Sequence, residues 1–172
     1  GAGIVDIAEP LLERLAQRTG ELVRLSVIDG DRLTWIAKAQ GVRKGLRYDP
    51  DMGSDARISC SSSGLAWLSS MDDDTALALV AQQGVGPVEE FGPTAQGFGE
   101  PADYGPKAPT TVKAVLGFLH AARVRGYAVI DEVFAPGMSA IAVPVLRRGE
   151  AIGVISVAGP RLRLSNARLH EL

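Results

Sequence analysis

The sequence predicts an α+β domain: an antiparallel sheet with helices packed on it. Three observations carry that prediction. The chain opens on apolar residues at helical spacing. It contains two pairs of strand-like segments, each pair joined by a glycine-containing turn. Segments with helical periodicity lie between the two pairs. No internal repeat is visible, and 172 residues are enough for one domain with a sizeable core.

Ile4, Ile7, Ala8, Leu11, Leu12 and Leu15 define an amphipathic helix over Ile4 to Arg18, with Gly20 placed as its C-terminal cap. Leu22 to Ile28 and Arg32 to Lys38 form a predicted hairpin around Asp29-Gly30, where glycine supplies the positive φ of a tight turn. A further extended segment is predicted from Lys44 to Tyr48, before Asp49-Pro50-Asp51 turns the chain. Ser59-Cys60-Ser61-Ser62-Ser63-Gly64 precedes Leu65-Ala66-Trp67-Leu68 and predicts a short helix with a serine cap.

Asp72-Asp73-Asp74 introduces another helix through Ala76, Leu77, Leu79 and Val80. Acidic residues in a first turn complement the helix dipole, and that reading is preferred to a metal site. The stretch from Gln83 to Pro109 has six glycines and five prolines and predicts a long loop. Its fragments Gly84-Val85-Gly86 and Gly97-Phe98-Gly99 do not join a strand to a helix as a nucleotide-binding loop requires. Thr110 or Thr111 then caps a helix carrying Val112, Val115, Leu116, Leu119 and Val124 and ending at Gly126. Ser139 to Leu146 and Ala151 to Ala158 close the chain as a second hairpin across Arg147-Arg148-Gly149-Glu150.

Apolar residues make up 46% of the chain and charged residues 22%, with a formal net charge of -2, a composition of globular rather than disordered proteins. No clustered basic excess of the kind that neutralises phosphates is present. The densest basic stretch, Arg161 to Arg168, holds three arginines and is read as a solvated helix face. The single cysteine, Cys60, excludes an internal disulfide and a multi-cysteine metal site and suits a reducing cytoplasm. No signal peptide or membrane-spanning run is found, and no cofactor, metal or membrane partner is expected. Because the chain begins directly in a helix and stops within another, it is read as an excised domain.

Several strings resemble the effector-binding domain of the isocitrate-lyase-regulator (IclR) family of transcription regulators. They are Arg18-Thr19-Gly20-Glu21 with Asp29-Gly30, then Ser59 to Ala66, then Val124-Arg125-Gly126-Tyr127-Ala128. Gly137, Ala142-Val143-Pro144-Val145 and Ile155-Ser156-Val157-Ala158-Gly159-Pro160 complete the set, which covers nearly the whole chain. The resemblance implies a GAF-like fold with a six-stranded sheet whose concave side holds a small effector. It also implies an effector-binding domain over residues 1–172, a winged helix-turn-helix upstream of Gly1 that would make the DNA contacts, and a homodimer or homotetramer.

Departures from the family pattern bear on the ligand. Leu65 stands where the family has lysine, Ser59 where it often has histidine, and the region from Gly84 to Pro109 is longer. The family's acidic contact falls on Ile130, its cysteine or polar contact on Ala140, and the second of its two strand serines on Ala158; Ser156 remains. Ser61, Ser62, Ser63, Ile130, Met138, Ala140, Ser156, Ala158 and Tyr48 are the candidate effector contacts. The serines at the helix start offer backbone N–H groups and hydroxyls to an anion, or serve simply as caps. Ser156 alternates with Ile155 and Val157, so it faces away from them, toward a ligand or toward solvent. Tyr48 and Trp35 are placed to pack on a ligand or in the core. This wall is less polar than the family's, so the expected effector is a small organic acid with an apolar body, such as an aromatic carboxylate.

Two rival classes remain. Cys60 at a helix start, with His120 or His170 as base, would make a nucleophilic enzyme. Neither histidine has an obvious orienting partner in the sequence, and a lone cysteine more often packs as a small hydrophobe. A ligand-free interaction module, using the first helix and the 84–109 loop, is the other. A regulator's sensing domain, not an enzyme, is the expected function.

Overall fold

The computed structural model describes residues 2–46, 58–84, 107–133 and 137–172. Helix α1 (Ala2–Thr19) buries Ala8, Leu12 and Ala16, one residue per turn, and ends at Gly20, whose φ is +70° and whose N–H donates to the Ala16 carbonyl at 2.8 Å. Strands β1 (Leu22–Asp29) and β2 (Arg32–Gln40) then form the first hairpin, with Gly30 at φ +64° in its two-residue turn. Leu25 pairs with Ala37 but Ser26 pairs with Trp35, so Ile36 is an extra residue in β2.

Helices α2 (Ser62–Ser69), α3 (Asp73–Gln83) and α4 (Val112–Arg125) follow the predicted pattern. Each starts on the kind of residue that caps locally. Asp72 accepts from Thr75 N at 2.8 Å and Thr111 accepts from Ala114 N at 3.1 Å. Gly126, at φ +89°, ends α4 in the left-handed region. Strands β3 (Ala128–Asp131), β4 (Met138–Arg147) and β5 (Glu150–Pro160) and helix α5 (Asn166–Glu171) complete the described chain. All strand pairs are antiparallel, in the order β2-β1-β5-β4-β3.

The sheet has five strands among the described residues, not six. The predicted strand at Lys44 to Tyr48 is not extended at residues 44–46, because Gly45 takes φ +84° and turns the chain; residues 47–48 lie outside the described residues. The Asp49-Pro50-Asp51 turn and most of the predicted 84–109 loop also fall outside them. Strand β3 was not predicted, since four residues are too few to display an alternation.

Both faces of the sheet are covered. On one face Leu33, Trp35, Ala128, Ile130, Ala140, Ala142, Val154 and Ala158 join α2, α3 and α4 in one core. On the other, Val23, Leu25, Ala37, Val129, Ile141 and Val157 pack with α1, Leu164 and Leu169. Alanines at 128, 140, 142 and 158 leave room for α2 to lie close over β3, β4 and β5. The arginines at 161, 163 and 168 do not form a solvated face. Arg161 pairs with Asp131 at 2.8 Å, Arg163 with the buried Glu21 at 2.6 Å, and Arg168 donates to the Thr19 carbonyl at 2.5 Å. These side chains tie the final turn back to α1 and β3.

Candidate functional site

The start of α2 is shaped by close backbone packing. Ser61, in an extended conformation, accepts from Gly64 N at 3.0 Å and therefore caps the helix. A Cβ at position 64 would fall inside contact distance of the Ile58 backbone, so glycine alone fits where helix and preceding turn meet. That turn is anchored from the far end of α3, as Ile58 N donates to Gln83 Oε1 at 2.7 Å. Ser62 and Ser63 follow in the first helical turn, and all of Ser62 to Leu68 is buried.

Beneath α2 the sheet presents the remaining predicted residues. Ile130, Met138, Ala140, Ser156 and Ala158 are all buried. Cross-strand register aligns Ile130 with Ala140 and Ala140 with Ala158. Ser156 pairs with Ala142 on β4 and, on its other side, with Arg24 on β1. Ser156 does face away from Ile155 and Val157, and it points inward: its Oγ is buried with no hydrogen-bond partner among the described residues. The structure thus gathers Ser156, Ala158, Ala140, Ile130 and Met138 on one sheet face under α2, the helix that carries Ser62 and Ser63. Tyr48 lies outside the described residues.

Sequence reasoning missed Arg24. It is 4% exposed and its guanidinium carbon lies 4.0 Å from the centre of the Trp35 ring, a cation–π contact. Among the described residues, Arg24 and Glu21 are the buried charged side chains. The alternation in Leu22 to Ile28 already puts Arg24 and Ser26 on one side of β1, which was the available signal. Ser26 Oγ donates across the β1–β5 ladder to the Val154 carbonyl at 3.3 Å.

The nucleophile arrangement does not assemble. Cys60 is fully buried beside Ser59, at 3.6 Å from its hydroxyl. Both histidines have partners after all, and those engage them elsewhere. His120 Nε2 lies 3.1 Å from Asp73 Oδ2, and His170 Nδ1 lies 2.8 Å from the Tyr127 hydroxyl. His120 is also largely exposed. Asp73 receives a second bond from Arg123 at 2.6 Å, and these two donors hold its carboxyl below the ordinary carboxylate value, Arg123 contributing most. The acidic triplet is therefore a helix cap and an ion-pair site. No metal-binding group of His, Cys, Asp or Glu occurs among the described residues.

A cavity of about 400 Å³ opens on the opposite sheet face, over Ile141, Val143, Ile155 and Val157. It contains none of the predicted site residues, and its Tyr127 and His170 already satisfy one another. The α2-covered face, where a buried hydroxyl lacks a partner among the described residues, is the better candidate.

Comparison with known structures finds the same fold in solved proteins. IclR of Thermotoga maritima superposes with a TM-score of 0.79 at 22% identity, covering 98% of this chain and 62% of that one. An IclR homologue from Microbacterium hydrocarbonoxydans complexed with 4-hydroxybenzoate gives 0.74 at 20% identity over 95% of this chain and 61% of the other. A double mutant of the PobR inducer-binding domain from Acinetobacter, complexed with 3-hydroxybenzoic acid, gives 0.75 at 21% identity over 96% and 87%. At these identities the likeness is one of fold. The sequence profile for the bacterial transcriptional regulator IclR C-terminal region matches residues 1–90, and the chain belongs to the IclR family. It is 32% identical to the HTH-type transcriptional regulator BhcR of Paracoccus denitrificans over 172 residues, 99% of this chain and 56% of BhcR. It is 25% identical to the HTH-type transcriptional repressor AllR of Escherichia coli over 166 residues, 96% of this chain and 55% of AllR. The chain therefore spans about half the length of these relatives.

Proposed function

We propose that this domain senses a small organic acid on the α2-covered face of its sheet. In a full-length regulator, occupancy would alter DNA binding by a winged helix-turn-helix upstream of Gly1. The buried hydroxyl of Ser156, which has no hydrogen-bond partner among the described residues, carries this reading, because a polar group so placed costs free energy until a ligand or water satisfies it. Ser62, Ser63, Met138 and Ala158 are the accompanying contacts, with Ser61 holding the helix start in place. The aromatic acids bound by the two solved relatives support an apolar-bodied acid here. The five strands among the described residues and their flanking helices are compatible with a GAF-like sensor, working as a homodimer or homotetramer in the cytoplasm. No cofactor and no chemical turnover enter this mechanism.

Binding becomes regulation only if the acid favours one arrangement of the assembly over another. A thermal-shift screen of the purified chain against aliphatic and aromatic acids tests the first step. A ligand at a hundredfold excess over its Kd should stabilise the fold by about 2.7 kcal/mol. A shift restricted to one class of acid and lost in Ser156→Ala would support the reading. No shift with any acid, from a folded sample, would sink it.

A further inference from the structure

Away from α2, another cavity of about 410 Å³ opens between the last turns of α1 and the chain leaving β2. Its floor is closely packed backbone. Gly41 N donates to the Glu21 carbonyl at 3.0 Å, and a Cβ at position 41 would run into the Ala16 carbonyl and the Glu21 backbone. Only glycine fits there, which keeps the space above it open. Val42 N donates to Gln40 Oε1 at 3.1 Å and so fixes the direction in which Arg43 and Lys44 leave the strand.

The lining carries both signs of charge. Arg43 and Lys44 supply two cations, and Arg163 adds a third. Arg163 gives Nε and Nη2 to Glu21, and its Nη1 has no bond among the described residues. From α1 comes the carboxylate of Glu13, and the carbonyls of the helix's final turn add partial negative charge. Glu13, Arg43 and Lys44 line one cavity without closing on each other, and none of them has a hydrogen bond or ion pair among the described residues.

We propose that this cavity binds a small molecule with two oxyanions and one ammonium group, the class of an acidic amino acid. The oxyanions meet Arg43, Lys44 and the unused Nη1 of Arg163, and the ammonium meets Glu13. Charge complementarity sets the class. A plain dicarboxylate would leave Glu13 without a counter-charge, and an amine with one carboxylate would leave a cation without one. None of the α2-face residues lines this cavity, so it is a second site, beyond the sensing reading above. Through Arg163 its occupant would reinforce the attachment of α1 and β1 to the turn after β5.

The probes are L-glutamate, glutarate and 4-aminobutyrate, titrated calorimetrically into the purified 172-residue chain at low salt, with L-aspartate as a shorter amino diacid. Glutarate lacks the ammonium and 4-aminobutyrate lacks one carboxylate. Glutamate should bind tightest, each of those two being weaker by about fivefold, the scale of one exposed ion pair. Added salt should weaken binding. Glu13→Gln should abolish the preference for glutamate over glutarate, and Arg43→Gln with Lys44→Gln the preference over 4-aminobutyrate. All three side chains are exposed, so these variants should fold, and their melting temperatures check it. Cations that merely complement the end of α1 would lower the melting temperature on substitution and leave the selectivity intact, which overturns the proposal. Equal affinity for the three probes, or no binding of either amino diacid, does the same. Ser156→Ala should leave glutamate binding unchanged; its loss there would move the probe to the α2 face and overturn this site while the sensing reading stands.

Discussion

Glu21 and Arg163 are 142 residues apart and form a two-pronged ion pair, Nε to Oε1 at 2.6 Å and Nη2 to Oε2 at 3.2 Å. The carboxylate is 1% exposed, while the guanidinium reaches partly into solvent and has its pKa raised by the bond to Glu21. The pair pins the junction of α1 and β1 to the turn after β5. Arg163→Met would leave a buried carboxylate without its counter-ion. A loss of about 2–3 kcal/mol is expected, somewhat below the range for breaking a fully buried pair because Arg163 is partly solvated. Chemical denaturation of the native and variant chains measures it. A change under half a kilocalorie would mean that water replaces the arginine there.

Gly64→Ala should be among the most damaging single-methyl additions in the molecule. The new Cβ would meet the Ile58 backbone, which cannot rotate aside as a side chain would. A cost of about 1–3 kcal/mol is expected from overpacking. Because the displaced turn leads directly into Ser61, acid binding should fall along with the melting temperature. Gly117→Ala, where nothing lies within 4 Å, is the control and should be neutral or stabilising.

The caps and turns that the sequence revealed are those completed within a few residues. Ser61 and Thr111 each accept from an N–H three residues onward, so residue type and spacing alone locate them; Asp72 and Ser165 cap in the same way, though the sequence reading did not name them as caps. What stayed hidden depends on partners far along the chain. The placement of Arg24 opposite Ser156 requires the β1–β5 pairing, and the engagement of His120 requires Asp73, 47 residues away on another helix. The arginines at 161 and 163 read as a polar surface because the carboxylates they meet lie on other elements. The candidate face was recovered largely through family resemblance, while its buried charge was not.

Asp73 joins α3 to α4 through Arg123 and His120, and its carboxyl is lowered from an ordinary value of 3.8. A carboxyl lowered by folding contributes stability that is fully present above the unfolded value. That contribution disappears as pH falls from there through the folded value. Melting temperatures of the native chain and Asp73→Asn should therefore converge as pH drops below 3.8. A difference unchanged through that acid range would show that the contact acts through shape and not charge.

Arg148 occupies φ +52° beside Gly149 at φ +80° in the β4–β5 turn, a conformation that suits asparagine or glycine better than a long side chain. Arg148→Asn should stabilise the fold by about 0.5–1 kcal/mol, read as a shift in denaturation midpoint with an unchanged slope. An equal loss would indicate that the arginine's contacts outweigh its backbone strain.

Cys60 has no exposed surface, so iodoacetamide should label it slowly in the native chain and quickly in denaturant. Rapid native labelling that abolished acid binding would bring the thiol back into consideration as a functional group.

Trp35 and Ala37 stand two positions apart in one strand yet belong to opposite cores, because Ile36 is the additional residue that interrupts the alternation. Trp35 lies opposite Ser26 and Ala37 opposite Leu25, the pairing that two adjacent residues of an uninterrupted strand would make. Deleting Ile36 would make Trp35 and Ala37 immediate neighbours, which still point to opposite faces, so the register with β1 and the surface on which Arg24 rests would survive the loss. A single gap at this position between two related chains would therefore be a smaller difference than it looks, removing a bulge while leaving the arginine–tryptophan contact in place.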